Sequence, residues 1–178
     1  MNPAEIGDVL ETMTVLVDSR EQDTERLRRR IRAMGAPAVR ATLDYGDYAA
    51  NARLPSGAWL HDPDARIAPR CVIERKMSLD ELADCLTRGR DRFMREFRRA
   101  RAGGASVWLL VENGSWEAIL AGRYRSRFQP KAFLSSLCAW SARYGLRVVF
   151  CDELTTPILI REILYRDMKE RLTNGEYG

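Results

Sequence analysis

The sequence predicts an α/β fold with a partly parallel sheet. Three observations carry the prediction. Short β-prone runs alternate with amphipathic helical stretches along most of the chain. The most apolar run, Val107 to Val111, has the length of a buried strand and is far too short to span a bilayer. Helix-closing glycines and prolines, such as Gly35, Pro37, Gly103 and Gly104, fall between these runs.

Taken in order, Thr14 to Val17 is β-prone and delivers Asp18 at its end. Asp23 to Met34 is predicted helical, with Leu27 and Ile31 one turn apart among Arg26, Arg28, Arg29, Arg30 and Arg32. Val39 to Thr42 is a short strand, and Asp44 to Tyr48 is a turn leading into extended chain. From Asn51 to Pro69 the prolines at 55, 63 and 69 and Gly57 indicate a loop or hairpin. Cys71 to Lys76 is a strand, apolar at its start and charged at its end. Ser78 with Glu81 forms a capping-box pattern, and Leu79, Leu82, Ala83 and Leu86 then mark one helical face. Further helices are expected at Asp91 to Ala102, Lys131 to Tyr144 and Pro157 to Leu172, and strands at Ser106 to Glu112 and Leu146 to Cys151. No internal repeat or low-complexity linker interrupts the pattern. The expected organisation is one domain over residues 14–172, an N-terminal extension at 1–13 and a flexible tail at 173–178.

Composition narrows the function classes. A net charge of +4 permits nucleic-acid binding without establishing it. The chain uses arginine almost everywhere, its lysines being Lys76, Lys131 and Lys169, so a lysine inside Glu74-Arg75-Lys76 stands out. The four cysteines contain no CxxC pair and fit buried thiols in a reducing compartment. With His61 as the single histidine, zinc sites and paired-imidazole chemistry are disfavoured; His61 itself falls in a loop and is expected to be exposed. Glu5, Asp8 and Glu11 at the N-terminus do not resemble a secretory leader. A cytoplasmic protein with no membrane partner is expected, nucleoid-associated if the source is bacterial or phage.

The chemistry concentrates on three side chains. Glu74 and Lys76 are two residues apart on a predicted strand, so both leave the same face, and Arg75 leaves the other. Asp47 follows a glycine at the start of another extended segment, a position that could place its carboxylate beside Glu74. Two carboxylates at one point suit Mg²⁺, with water and substrate oxygens completing its shell. Such an ion acidifies a bound water and offsets charge on a phosphate under attack, while a lysine positions the water or steadies developing negative charge. By itself, this pattern is more often the charged end of an ordinary strand with a Glu/Lys/Asp surface network.

Its surroundings are more specific. Asp18-Ser19-Arg20-Glu21, Gly46-Asp47-Tyr48 and Glu74-Arg75-Lys76 with Asp80 follow one another in an order that resembles the XPF-type structure-specific nuclease domain. Gly89-Arg90 and the strand ending Leu110-Val111-Glu112 also match that pattern. The resemblance spans about Thr14 to Cys151. It implies a restriction-endonuclease-like core, a mixed sheet flanked by helices, acting as a divalent-metal-dependent endonuclease on branched or flapped DNA in repair or recombination. It further implies Asp47 and Glu74 as metal ligands, with Mg²⁺ as the ion and Mn²⁺ as a substitute, and Lys76 as the catalytic lysine. Asp18 and Glu21 become additional acidic members of the site, and Arg20 and Arg75 structuring or phosphate-facing arginines. Asp18 alternatively serves a turn, and Asp80 alternatively supplies first-turn charge to its helix. Dimerisation through this domain, with itself or a homologous chain, is also implied. Two departures are the lack of a helix-hairpin-helix signature and the spacing Asp80-Glu81-Leu82; both resemble the stand-alone bacterial and phage members. A catalytically silent DNA-binding scaffold of the same fold is the alternative, which the presence of Asp47, Glu74 and Lys76 argues against.

Arg88, Arg90, Arg92, Arg95, Arg98, Arg99 and Arg101 crowd one segment, and Arg88, Arg92, Arg95 and Arg99 recur at helical spacing. They are expected to form a phosphate-binding stripe with sequence-independent, salt-sensitive affinity. Arg123, Arg125 and Arg127 form a second, weaker basic cluster. Phe93 and Phe97 anchor the opposite face, and Trp140, with Phe133, Leu137 and Tyr144, belongs to the core or a dimer face.

Overall fold

In a computed structural model that describes residues 1–177, the chain folds around one six-stranded mixed sheet. The strands are β1 (Thr14–Asp18), β2 (Ala38–Ala41), β3 (Tyr48–Asn51), β4 (Cys71–Lys76), β5 (Ser106–Glu112) and β6 (Arg147–Cys151), and they lie side by side in the order β2-β1-β3-β4-β5-β6. β1 and β2 are parallel, as are β4, β5 and β6; β3 runs antiparallel to both of its neighbours. The predicted partly parallel α/β class is what forms.

Alternation along the strands divides the core in two. Val15, Val17, Ile73 and Leu110 face helices α1 (Pro3–Glu11), α2 (Glu25–Met34) and α7 (Thr156–Thr173). Val72, Leu109 and Val111 face α3 (Leu79–Leu86), α4 (Arg90–Ala102), α5 (Trp116–Leu120) and α6 (Pro130–Tyr144). The second side includes the aromatic cluster Phe93, Phe97, Trp140 and Tyr144, with ring centroids 4.5 to 6.3 Å apart. A smaller cluster of Leu16, Ala41, Leu43, Ala49 and Ile67 is closed by the loop between β3 and β4.

Several boundaries are set by capping. Thr24 accepts from the Leu27 amide as the N-cap, so α2 starts at Glu25, two residues later than the predicted Asp23, while Ser78 accepts from the Glu81 amide at 3.2 Å. Residues 1–13 are no extension. Asn2 and Glu5 form a capping box, and Ile6, Val9 and Leu10 are buried against the α7 side of the sheet. Helix α5, capped by Ser115, is likewise absent from the periodicity, being only five residues long. The expected tail is also packed through Tyr177: Thr173 still belongs to α7, and the Tyr177 ring meets His61 at 6.5 Å edge-on and the Arg70 guanidinium at 5.7 Å. Gly178, the last residue of that tail, lies outside the described residues. His61 is correspondingly half-buried instead of exposed, and burial lowers its pKa. All four cysteines are free. No helix among the described residues is long and apolar enough to cross a membrane.

Candidate active site

The reversed strand β3 brings the candidate residues together. Gly46, at φ +75°, turns the chain into β3, so that the Asp47 amide donates to the Ile73 carbonyl at 2.8 Å. The Asp47 carbonyl accepts from the Asp18 amide at 2.9 Å, which ties the turn to β1 as well. The Asp47 carboxylate then lies across the end of β4, accepting from the Arg75 amide at 2.7 Å through Oδ2. On β4, Glu74 is buried and its Oε1 accepts from Lys76 Nζ at 2.6 Å. The same ammonium sits 5.1 Å above the Phe93 ring and 3.9 Å from Glu81 Oε1. Glu81 thus serves twice, since its Oε2 accepts from the Met77 amide.

The electrostatics follow from this crowding. Burial pushes the Asp47 carboxyl well above the usual carboxylate range; Glu74 adds to the rise and Lys76 opposes it. Burial works to lower the Lys76 ammonium, but Glu74 and Asp47 outweigh it and hold Lys76 above the ordinary lysine value, so it stays charged. Without a cation, an ionised Asp47 therefore costs stability. The folded carboxyl titrates above the unfolded one, so the penalty appears as pH rises past the unfolded value of about 3.9 and is complete above the folded value. In EDTA at neutral pH, Asp47→Asn is expected to raise the melting temperature by about 2–4 °C for each kcal/mol relieved. Scanning calorimetry should show the gain vanish below about pH 4; a lower melting temperature for the variant at neutral pH would count against the assignment.

The donor set fits a hard divalent cation. Among the described residues, none donates a hydrogen bond to Asp47 Oδ1 or Glu74 Oε2. Among the described residues no three acidic, histidine or cysteine side chains converge into a full cage. Two carboxylates with the remaining positions left to water and substrate is the pattern Mg²⁺ takes.

The other predicted residues divide into several roles. Asp18 is buried, and both its oxygens are engaged: Oδ1 by the Arg20 amide and Nε, Oδ2 by Arg20 Nη2 and the Leu43 amide. It shapes the loop beside the site and holds Arg20, whose Nη1 lies 3.9 Å from Glu96. Glu21 is half-buried and close enough to help raise the Asp47 carboxyl. Asp80 turns away to the loop after α5, accepting from the Arg125 and Ser126 amides at 2.7 and 2.8 Å. That contact occupies part of the second basic cluster. Arg75 points to the reverse face and pairs with Glu112 at 3.2 Å. Arg88 pairs with Asp84 ahead of α4, and Arg90 folds inward, donating to the Leu86 carbonyl with its guanidinium 5.4 Å from the Trp140 ring. Arg92, Arg95 and Arg99 remain exposed along α4, and Arg99 also donates to the Asp44 carbonyl at 3.0 Å. The surface stripe therefore consists of these three.

Two acidic residues, one beside the site and one behind it, have no role assigned by the sequence. Glu96, the single acidic residue between Asp91 and Glu112, is half-buried beside Arg20; burial and Glu74 raise its carboxyl. Glu112 is fully buried behind β4 and collects Arg26, Arg30 and Arg75.

Two solved structures share this architecture. XPF from Aeropyrum pernix aligns with a TM-score of 0.61 at 22% identity, over 92% of this chain and 69% of that one. A second structure, described as XPF from Aeropyrum pernix in complex with DNA, aligns with a TM-score of 0.60 at 24% identity, over 89% of this chain and 66% of that one. No curated protein sequence matches. These likenesses establish the restriction-endonuclease-like fold, a mixed sheet flanked by helices. The model of the ERCC4 domain matches residues 17–158, from β1 into α7, and takes in every motif on which the XPF-type resemblance rests. The chain belongs to the ERCC4 domain family.

Proposed function

We propose that the protein is a divalent-metal-dependent endonuclease that hydrolyses phosphodiester bonds in branched or flapped DNA during repair or recombination. The observation that carries the proposal is the convergence of Asp47, Glu74 and Lys76 at the β3–β4 junction, with Lys76 held 2.6 Å from Glu74. Asp47 and Glu74 would hold Mg²⁺, or Mn²⁺ in its place. When bound, the ion supplies an acidified water and a counter-charge for the phosphate. Lys76, kept protonated by its two carboxylate neighbours, orients the attacking water or offsets charge developing on a non-bridging oxygen. Phe93 and the rest of the α4 face exclude bulk water from beneath the ammonium. Arg92, Arg95 and Arg99 would hold the DNA backbone alongside, and Arg20, fixed by Asp18, reaches Glu96 of the same helix at 3.9 Å. A dimer through this domain, with a second copy or a homologous chain, completes the reading. The Aeropyrum pernix relative solved in complex with DNA supports the choice of ligand.

The test is cleavage of labelled flap, fork, four-way junction and linear duplex in Mg²⁺, Mn²⁺ or EDTA. Metal-dependent cutting of the branched substrates is expected, with linear duplex cut more slowly. Tight binding without cutting in either metal would instead identify a scaffold. Arg92→Ala combined with Arg99→Ala should weaken binding to all substrates and lower the slope of log K against log salt by about 2, roughly 0.9 for each phosphate no longer neutralised. An unchanged slope would remove the stripe from the interface.

A further inference from the structure

We propose that Glu112 is a positioning residue for Asp47 and Glu74, acting from the reverse face of the sheet through Arg75 and Arg30. The proposal rests on the endonuclease reading of the site and adds a determinant on the far side of the sheet from it. Glu112 ends β5 and its side chain is 0% exposed. Its Oε2 lies 3.2 Å from Arg75 Nη1 and 3.4 Å from Arg26 Nη2, and its Oε1 lies 3.6 Å from Arg30 Nη2. Arg75 is the residue between Glu74 and Lys76, and its amide is the donor to Asp47 Oδ2 at 2.7 Å. Arg30 in turn donates to the Tyr48 hydroxyl at 3.0 Å, and Tyr48 directly follows Asp47. One carboxylate thereby grips β4 beside Glu74 and, through Arg30, β3 beside Asp47.

The cluster is poorly built for stability. Three guanidinium groups face one carboxylate, and Arg30 Nε and Nη2, Arg75 Nε and Glu112 Oε1 are buried without a hydrogen-bond partner. Buried ion clusters with unsatisfied atoms are commonly matched or exceeded in stability by apolar replacements of similar size. What such a cluster does supply is direction: it fixes the rotation of β4 at Arg75, and so the aim of the two side chains that leave the opposite face. Partners of this kind behind metal-binding side chains typically govern affinity or rate by about 10–100-fold.

Two variants test the proposal: Glu112→Gln, and the apolar replacement Arg30→Met/Arg75→Met/Glu112→Met. Each is followed by thermal melting, by calorimetric Mg²⁺ and Mn²⁺ titration of the DNA-free protein, and by cleavage with separate measurement of DNA affinity. The triple variant is expected to melt at or near the wild-type temperature. In both variants the metal midpoint should rise about ten-fold or more, and kcat should fall at least as much, with DNA affinity unchanged. A triple variant that keeps wild-type melting, metal midpoint and kcat overturns the proposal. A triple variant that fails to fold also overturns it, because the cluster is then a stability element. If Glu112→Gln does not fold, the triple variant carries the decision. Failure of the endonuclease reading shows in the wild-type protein alone, as no metal binding and no cutting; failure of the positioning role shows as wild-type binding that the variants reproduce.

Discussion

Glu74→Gln is expected to lower metal-dependent cleavage by about 10³-fold or more while leaving DNA affinity within about three-fold, on the scale seen when one strongly placed charge is removed from a transition-state site. The substitution keeps shape and volume, so the β4–β5 pairing and the burial of Glu74 are preserved. What it removes is the charge that serves two neighbours. One is the cation, left with Asp47 as its only anionic ligand. The other is Lys76, whose 2.6 Å partner becomes a neutral amide and whose ammonium loses the larger of the two attractions that keep it charged and in place. DNA affinity should persist because the exposed arginines of α4 lie on a separate helix. Single-turnover rates at saturating DNA and Mg²⁺, with binding measured in Ca²⁺ or EDTA, separate the two effects. A residual rate within ten-fold of wild type would remove Glu74 from the chemistry.

Gly46→Ala is expected to be the most destabilising single methyl addition among the described glycines. A Cβ at this position would stand 2.0 Å from Val72 Cγ2, 3.2 Å from Val72 Cβ and 3.3 Å from the Ile73 carbonyl oxygen, at a backbone φ of +75°. Left-handed backbone costs a non-glycine residue about 1–2 kcal/mol, and forcing volume into a packed core about 1–3 more. The sum is about 2–5 kcal/mol, or a fall in melting temperature of roughly 5–15 °C for a chain of this size. Val72 belongs to β4, so relief by movement displaces the strand that carries Glu74 and Lys76, and cleavage should fall further than stability alone accounts for. Gly35→Ala is the control: its φ is +61°, but an added Cβ meets nothing within 4 Å, so only the backbone term applies. Equal melting temperatures for the two variants would show that Val72 yields without cost.

Much of this is legible in the sequence because the signals are local. The strand Cys71 to Lys76, the Ser78 cap and the shared face of Glu74 and Lys76 depend only on spacing and neighbouring residues, and all of them form, although the Glu81 carboxylate takes the Met77 amide and leaves the capping box half made. The apposition of Asp47 with Glu74 is legible only through the order of motifs. It depends on β3 reversing direction between two parallel sets, which no local period encodes. Arg30 misleads for a different reason. Leu27, Arg30, Ile31 and Met34 lie at i, i+3, i+4 and i+7, so spacing alone puts Arg30 on the buried face of α2, but its charge argues for solvent. Its compensating Glu112 and Tyr48 come from distant parts of the chain, so the sequence offers no nearby partner to justify burial. Glu112, at a strand end, resembles an ordinary solvated acid for the same reason. Helix α1 escapes the periodicity although its Asn2–Glu5 box is present, since Gly7 in its middle weakens the helical pattern.

The packing of α1 against α7 has a consequence for biosynthesis. Residues from opposite ends of the chain share one apolar layer, and that layer also covers the backs of β3 and β4. Until α7 has docked, Ile6, Val9, Leu10 and Ile73 lack the part of their cover that it supplies, and the strands bearing Asp47 and Glu74 lack its support on that side. The two candidate carboxylates thus gain their backing on that face only when Thr156–Thr173 has docked, a segment made after every strand of the sheet.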